Sequence, residues 1–334
     1  MCSRGAPPPD RQLLPSLEIR ILQMKMLVLG AGGIGGYFGG RLAEAGLDVT
    51  FLVRPRRREQ LERDGLRIES PRGDVNMRVR SVLASDLTPG YDFVLFTCKA
   101  YDLDLAIDAI APAMDGRCAV VPMLNGMAHL TRLDERFGAE SVMGGACSIS
   151  VTLEKGGVIR HADPLQRVAF GERDRSKSSR AQMLADAFAA TTIDWELADD
   201  IEQNMWEKIS FLSVLAAVTC LFRANLGEIV GSPGGLAAIQ RALAVNFEIA
   251  SRNGHPPRAG AIEFGRKTLT DPMSKRIASM LYDLESGLPV ESDHIIGWML
   301  DQARAHGLDD TILSLAYTHL KAYEARRAAD RLPR

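Results

Sequence analysis

The run Gly30-Ala31-Gly32-Gly33-Ile34-Gly35 narrows what this chain can fold into more than any other stretch, because of what flanks it. Before it, Met26-Leu27-Val28-Leu29 is a short apolar run that stops at the glycines, which suits a strand buried on both faces. After it, small and apolar residues recur from Ile34 through Tyr37, Phe38, Leu42 and Ala45 at helical spacing, and Gly46 stands where a helix C-terminus takes its cap. Asp48 to Val53 then reads as a second strand. Glycines alone mark many strand-to-helix turns, but strand, loop, helix and strand in this order form a βαβ unit. In that setting Gly30 permits the tight turn, Gly32 lets a pyrophosphate approach the backbone, and Gly35 lets the helix pack on the strand. The helix N-terminus then holds the anion.

The end of the second strand selects the nucleotide. Chains that bind NAD usually place Asp or Glu there for the ribose 2′-hydroxyl, whereas this one reads Val53-Arg54-Pro55-Arg56-Arg57-Arg58. NADP(H) is therefore the expected cofactor, with Arg54 on the 2′-phosphate, a charge-assisted contact of about 1.5–3 kcal/mol. The alternative, that these arginines form a solvated turn, suits Arg57 and Arg58 better than Arg54.

Further along, Leu66 to Val82 reads as a meander, and Phe93 to Thr97 and Cys118 to Met123 as buried strands around a helical stretch from Leu103 to Met114. This alternation predicts a doubly wound parallel sheet. Ser141 to Leu153 and Val158 to Phe170 flank the turn Glu154-Lys155-Gly156-Gly157 and are expected as an antiparallel end to that sheet. After about Leu197 the pattern is helical, broken at Gly231 to Gly235 and at Pro256-Pro257. The expected fold is α/β, a Rossmann doubly wound domain over residues 24–197 followed by a mostly α-helical domain over 198–334 that carries substrate and catalytic groups. Residues 1–23, with Pro7-Pro8-Pro9, are expected to be disordered, and Met24 or Met26 is an alternative start. A length of 334 residues exceeds what one core usually serves, which agrees with two domains.

Composition removes other classes. With 46% hydrophobic and 25% charged residues and a formal charge of -2, the chain has no electrostatic footprint for nucleic acid. The longest apolar stretch, Ile209 to Phe222, is interrupted by Ser210, Ser213 and Thr219 and is shorter than the roughly 20 residues that span a bilayer, so it is expected as a buried helix rather than a membrane segment. Five cysteines without Cys-x-x-Cys spacing fit a reducing cytoplasm, and Cys98, Cys118, Cys147 and Cys220 read as buried small residues. Six dispersed histidines without metal-ligand spacing predict no metal site.

Four more motifs complete a pattern: Thr97-Cys98-Lys99-Ala100, Asn125-Gly126-Met127, Trp206-Glu207-Lys208, and Ser279-Met280-Leu281-Tyr282-Asp283 with Glu291-Ser292-Asp293. In order and spacing, and over about Lys25 to Arg304, the chain resembles the ketopantoate reductase (2-dehydropantoate 2-reductase) family. The resemblance implies that Lys208 is the general acid, protonating the alkoxide that forms as hydride passes from nicotinamide C4 to the ketone of a 2-oxo acid. It implies that Lys99 and Asn125 contact substrate and nicotinamide ribose, that Ser279 holds the substrate carboxylate, and that Glu291, beside the cofactor, orients the substrate hydroxyl or the lysine. Read without the family, Asn125-Gly126 is a turn signal, and Ser279 and Glu291 are a helix start and a helix surface.

The chain departs from that pattern on the substrate side. Four and eight residues beyond Lys208, on the same helix face, the family usually places asparagines, and here stand Leu212 and Ala216. Thr219 keeps a hydroxyl on that face, and Asn225 matches a further expected asparagine only with a one-residue displacement. The first reading is an NADPH-dependent ketopantoate reductase of pantothenate and coenzyme A biosynthesis, acting on a small-molecule 2-oxo acid, with a homodimer left open. The second is a paralogous reductase of a more apolar 2-oxo acid or related carbonyl compound, and the third a non-catalytic NADP(H)-binding regulator.

Overall fold

The computed structural model describes residues 24–332, and the expectation of disorder over residues 1–23 lies outside them. Ten strands run in the order β1 (Lys25–Leu29), β2 (Asp48–Leu52), β3 (Leu66–Glu69), β4 (Val75–Met77), β5 (Arg80–Val82), β6 (Phe93–Phe96), β7 (Ala119–Pro122), β8 (Gly144–Leu153), β9 (Val158–Gly171) and β10 (Asp194–Leu197). Five of them form a parallel sheet in the order β5-β2-β1-β6-β7. The chain leaves β1 for β2 on one side and later returns to β6 on the other, so the switch point lies at the carboxyl end of β1. That is where ligands bind in open α/β sheets.

Two expectations are corrected here. The run from Leu66 to Val82 is not one meander: β3 and β4 pair antiparallel in a second sheet, while β5 joins the edge of the parallel sheet beside β2. The hairpin β8–β9 is likewise not an end of the first sheet. It belongs to the second, ordered β10-β9-β3-β4 with β8 on β9. The 14-residue β9 is long enough to pair with β3 near its start and with β10 near its end.

Alternation along β1 sorts side chains into two cores. Met26 and Val28 join Phe38, Phe51, Ile68 and Ile159, between the parallel sheet and the second sheet. Leu27 and Leu29 join Val94, Val120 and the helical half of the chain, including Met205, Trp206 and Ile209. Each such buried aliphatic contributes about 1.5–3 kcal/mol relative to exposure. The second cluster runs without a break from Leu27 to Leu313, so the helical half packs directly on the sheet face.

The helix Ile201–Phe222 carries this contact. Asp200 caps it by accepting the Gln203 N–H at 3.0 Å, and it ends where Arg223 takes a left-handed conformation at φ 54°. It begins eight residues before the expected apolar stretch and, at 22 residues, is long and apolar enough to cross a membrane by length and composition alone. Yet 67% of its most apolar window is buried in the fold, against β8 and the helices Gly235–Arg252 and Thr311–Ala328. A helix apolar on all sides is a core helix when partners surround it.

Candidate active site

The phosphate loop has the shape that its glycines predict. Gly30 takes φ +87°, and its N–H donates to the Leu52 carbonyl at 2.8 Å, tying the loop to β2. A side chain at Gly35 would strike the Gly30 carbonyl and Thr97 Oγ1, so helix and strand approach closely only with glycine there. Gly32 is the opposite case, since a Cβ would meet nothing within 4 Å. No side chain caps the helix that starts at Gly33, and its first N–H groups are left to an anion. Open backbone at Gly32 and an uncapped helix start fit a dinucleotide pyrophosphate.

The arginines after β2 divide differently from expectation. The Arg54 side chain is 75% exposed and pairs with Asp102 at 2.9 Å. An exposed pair contributes about 0–1 kcal/mol, little enough for an incoming phosphate to replace it. Arg58 is a surface charge, paired with Glu62 and Asp86. Arg57 is not part of a solvated turn. Its Nε donates to the Ala31 carbonyl at 3.0 Å and its Nη1 to Gly157 O at 3.2 Å, while Nη2 is buried without a partner among the described residues. Burial, with Arg67 nearby, holds the guanidinium below its ordinary value. Arg57 thus braces the phosphate loop against the β8–β9 turn.

Three consecutive residues of the Ile201–Phe222 helix point to three surroundings. Trp206 packs into the core against Trp298, ring centroids 5.2 Å apart. Glu207 pairs with Arg258 at 2.6 Å. Lys208 turns into the cleft, where Nζ donates to Asn125 Oδ1 at 2.9 Å. The residue is half-buried with its ammonium ringed by protein, and this burial lowers its pKa from the ordinary lysine range.

Lys99 and Asn125 follow β6 and β7, adjacent strands, and so stand side by side at the carboxyl edge of the parallel sheet. Lys99 Nζ donates to Asp283 at 3.0 Å and to Glu291 at 3.3 Å, and Glu291 Oε1 accepts the Ala100 N–H at 3.0 Å. Burial would lower the Lys99 pKa, but Glu291 and then Asp283 outweigh it and raise it. Glu291 therefore clamps the helical half to the sheet edge. Asp283 stands within one of the sequence motifs, but only the fold reveals it as a partner of Lys99.

Other expected substrate residues are placed less directly. Thr219 is fully buried, and its hydroxyl donates to Leu215 O at 2.7 Å and accepts the Ala278 N–H at 3.4 Å, seating the start of the Ser279 helix. Asn225 caps the next helix, accepting the Glu228 N–H at 3.0 Å in a reciprocal capping box. Ser279 is exposed at the first position of its helix, Ala216 is buried, and Leu212 is half-buried. Burial pushes the Cys98, Cys118 and Cys220 thiols up to about 12, so none is a nucleophile near neutral pH. His129 and His294, which sequence spacing treated as dispersed, touch beside Gly126.

A glycine loop at the switch point of a parallel sheet, with a lysine of the helical half bonded to Asn125 at the same sheet's edge, fits an oxidoreductase of the Rossmann type. The chain belongs to the ketopantoate reductase family: residues 26–175 match "Ketopantoate reductase PanE/ApbA" and residues 200–324 its "C terminal" part. It is 35% identical to "Uncharacterized oxidoreductase YkpB" of Bacillus subtilis, over 91% of this chain and 100% of that one. It is 28% identical to a 2-dehydropantoate 2-reductase of Mesorhizobium japonicum, over 84% and 92%. In fold it is similar to a D-mandelate dehydrogenase solved with NADH and anilino(oxo)acetate, with a TM-score of 0.82 at 19% identity over 91% and 100% of the two chains.

Proposed function

We propose that this chain reduces 2-dehydropantoate (ketopantoate) to pantoate with NADPH, a cytoplasmic step toward pantothenate and coenzyme A. The observation that carries the reading is Lys208, an ammonium held at 2.9 Å by Asn125 at the sheet edge where the phosphate loop also opens. The loop from Gly30 to Gly35 would hold the pyrophosphate, and Arg54 the 2′-phosphate. When bound, the cofactor supplies hydride to the ketone carbon. Lys208 donates its Nζ proton to the alkoxide oxygen and is left neutral, to be reprotonated by water. Asn125 aims that proton, Lys99 and Glu291 line the cleft beside it, and Ser279 takes the substrate carboxylate.

Leu212 and Ala216 favour a second reading, reduction of a more apolar 2-oxo acid by the same chemistry. Each missing amide withholds a hydrogen bond of about 0.5–1.5 kcal/mol from a polar substrate. NADPH oxidation with ketopantoate and a panel of apolar 2-oxo acids separates the two by their kcat/KM. In either case folded Lys208→Ala is expected to lose about 10²–10⁴-fold in kcat. Near-normal turnover by that variant contradicts the mechanism, and NADPH binding without turnover on any substrate favours a non-catalytic regulator.

A further inference from the structure

His129 and His294 lie 165 residues apart in sequence and meet at the seam between the sheet edge and the helical half. His129 Nδ1 is 3.2 Å from His294 Nε2, with the ring planes at 28° to each other and centroids 5.3 Å apart. One nitrogen carries the proton and the other accepts it. His129 is fully buried, and its Nε2 has no partner among the described residues. Leaving a buried polar atom unpaired is unfavourable, so the pair calls for an account beyond filling space.

The surroundings supply one. His294 sits in the π-helical turn Asp293–Gly297, three residues after Glu291, and such turns are frequent at functional sites. It lies directly on Gly126, where φ is +91° and a Cβ would stand 2.8 Å from His294 Cδ2 and 3.0 Å from its carbonyl oxygen. The Asn125 backbone lies close enough to the His294 imidazole to oppose in part the effect of its burial. The Asn125 side chain accepts from Lys208 Nζ. The charged groups that face the pair are Lys208 from the Ile201–Phe222 helix, Arg173 just beyond β9, and Glu291 ahead of the π-turn. Burial, with these cations adding at His129, holds both imidazoles below the ordinary histidine range and keeps the pair neutral.

We propose that His294, locked by His129, is a positioning residue for the proton donor: it fixes the Asn125-Gly126 turn so that Asn125 Oδ1 holds Lys208 Nζ in the cleft. This rests on the reading of Lys208 as that donor.

The test compares full-length wild type, Lys208→Ala, His294→Phe, His129→Leu and His129→Asn, with NADPH and the panel 2-oxo acid that wild type turns over best. Retained turnover in Lys208→Ala overturns the donor reading and the proposal together. With Lys208→Ala inactive, His294→Phe is expected to lower kcat on the order of tenfold, the size of effect a displaced donor produces, with NADPH Kd unchanged by fluorescence titration. His129→Leu falls in the same direction. His129→Asn, whose amide can still bond the His294 ring, stays within about twofold of wild type. A packing role alone would rank leucine level with asparagine or above it. Lysine-selective ¹⁵N NMR reads the effect without turnover: the Lys208 titration midpoint moves in His294→Phe and His129→Leu but not in His129→Asn. Unchanged kcat and midpoint in His294→Phe, or leucine matching asparagine at 129, overturns the positioning role alone. If His294→Phe does not fold, the two His129 variants decide.

Discussion

Lys208 and Lys99 are both cleft lysines, yet their surroundings push them in opposite directions. Burial dominates at Lys208, with Cys147 and Glu291 opposing it only in part, and the net effect lowers its pKa. At Lys99 two carboxylates within 3.3 Å overcome burial and keep the charge on. As the proposed proton donor Lys208 must be protonated to act, so reduction is expected to slow as pH rises through its value. The rate is expected to be flat at lower pH and to fall with unit slope above a midpoint under the ordinary lysine value of about 10.4. In Lys208→Arg any residual rate should lose that limb, because a guanidinium does not titrate there. A wild-type midpoint at or above that ordinary value would contradict the assigned environment. Lys99 adds no limb in this range, which makes it an anchor rather than an acid.

The helix Gly33–Glu44 lies between two sheets on two adjoining glycine stripes. Gly35 and Gly39 face the parallel sheet, where a Cβ at Gly39 would stand 2.8 Å from the Phe51 ring and 2.9 Å from Val28. Gly36 and Gly40 face the second sheet, at Ile159 and at Ile68 and Leu66. Alanine in a helix is favoured over glycine by about 1 kcal/mol, but overpacking a ring and a branched side chain opposes this by about 1–3 kcal/mol. Gly39→Ala is therefore expected to lower the urea midpoint at unchanged slope, and a raised midpoint would show the seat to be loose. Much of this element was legible in sequence, because Met26 to Leu29, the loop and the following spacing give consistent local signals. The turn at Glu154 to Gly157 was legible for the same reason. The destination of its hairpin was not, since pairing of β9 with β3 and β10 depends on contacts far along the chain. Nor can runs as short as β4 and β5, three residues each, show which sheet they will join. Motif order singled out Lys208, Lys99 and Glu291, which the fold brings to neighbouring places along the sheet edge. Arg57 and the His129–His294 contact were missed because only folding brings Ala31 and Gly126 against them.

At the scale of the whole molecule, the cleft is made by two parts of the chain that share one core. Glu291 and His294 reach the sheet edge from the helical half, and the Ile201–Phe222 helix is covered by Gly235–Arg252 and Thr311–Ala328. Leu313, Ala316 and Leu320 of the last helix are buried in that core. Removing residues 311–334 should therefore yield protein that binds hydrophobic dyes and aggregates, measured by light scattering after expression; a monodisperse fragment with a cooperative melt would contradict the shared core. The order of synthesis gives this dependence a further consequence. Ile201 to Phe222 leaves the ribosome before Gly235–Arg252 and well before Thr311–Ala328, so for a time the nascent chain displays an apolar rod of membrane-like composition whose covering helices are still to be made. For the segment that bears Lys208, synthesis and full covering are thus separated in time, and that interval is when its apolar surface is open to other chains.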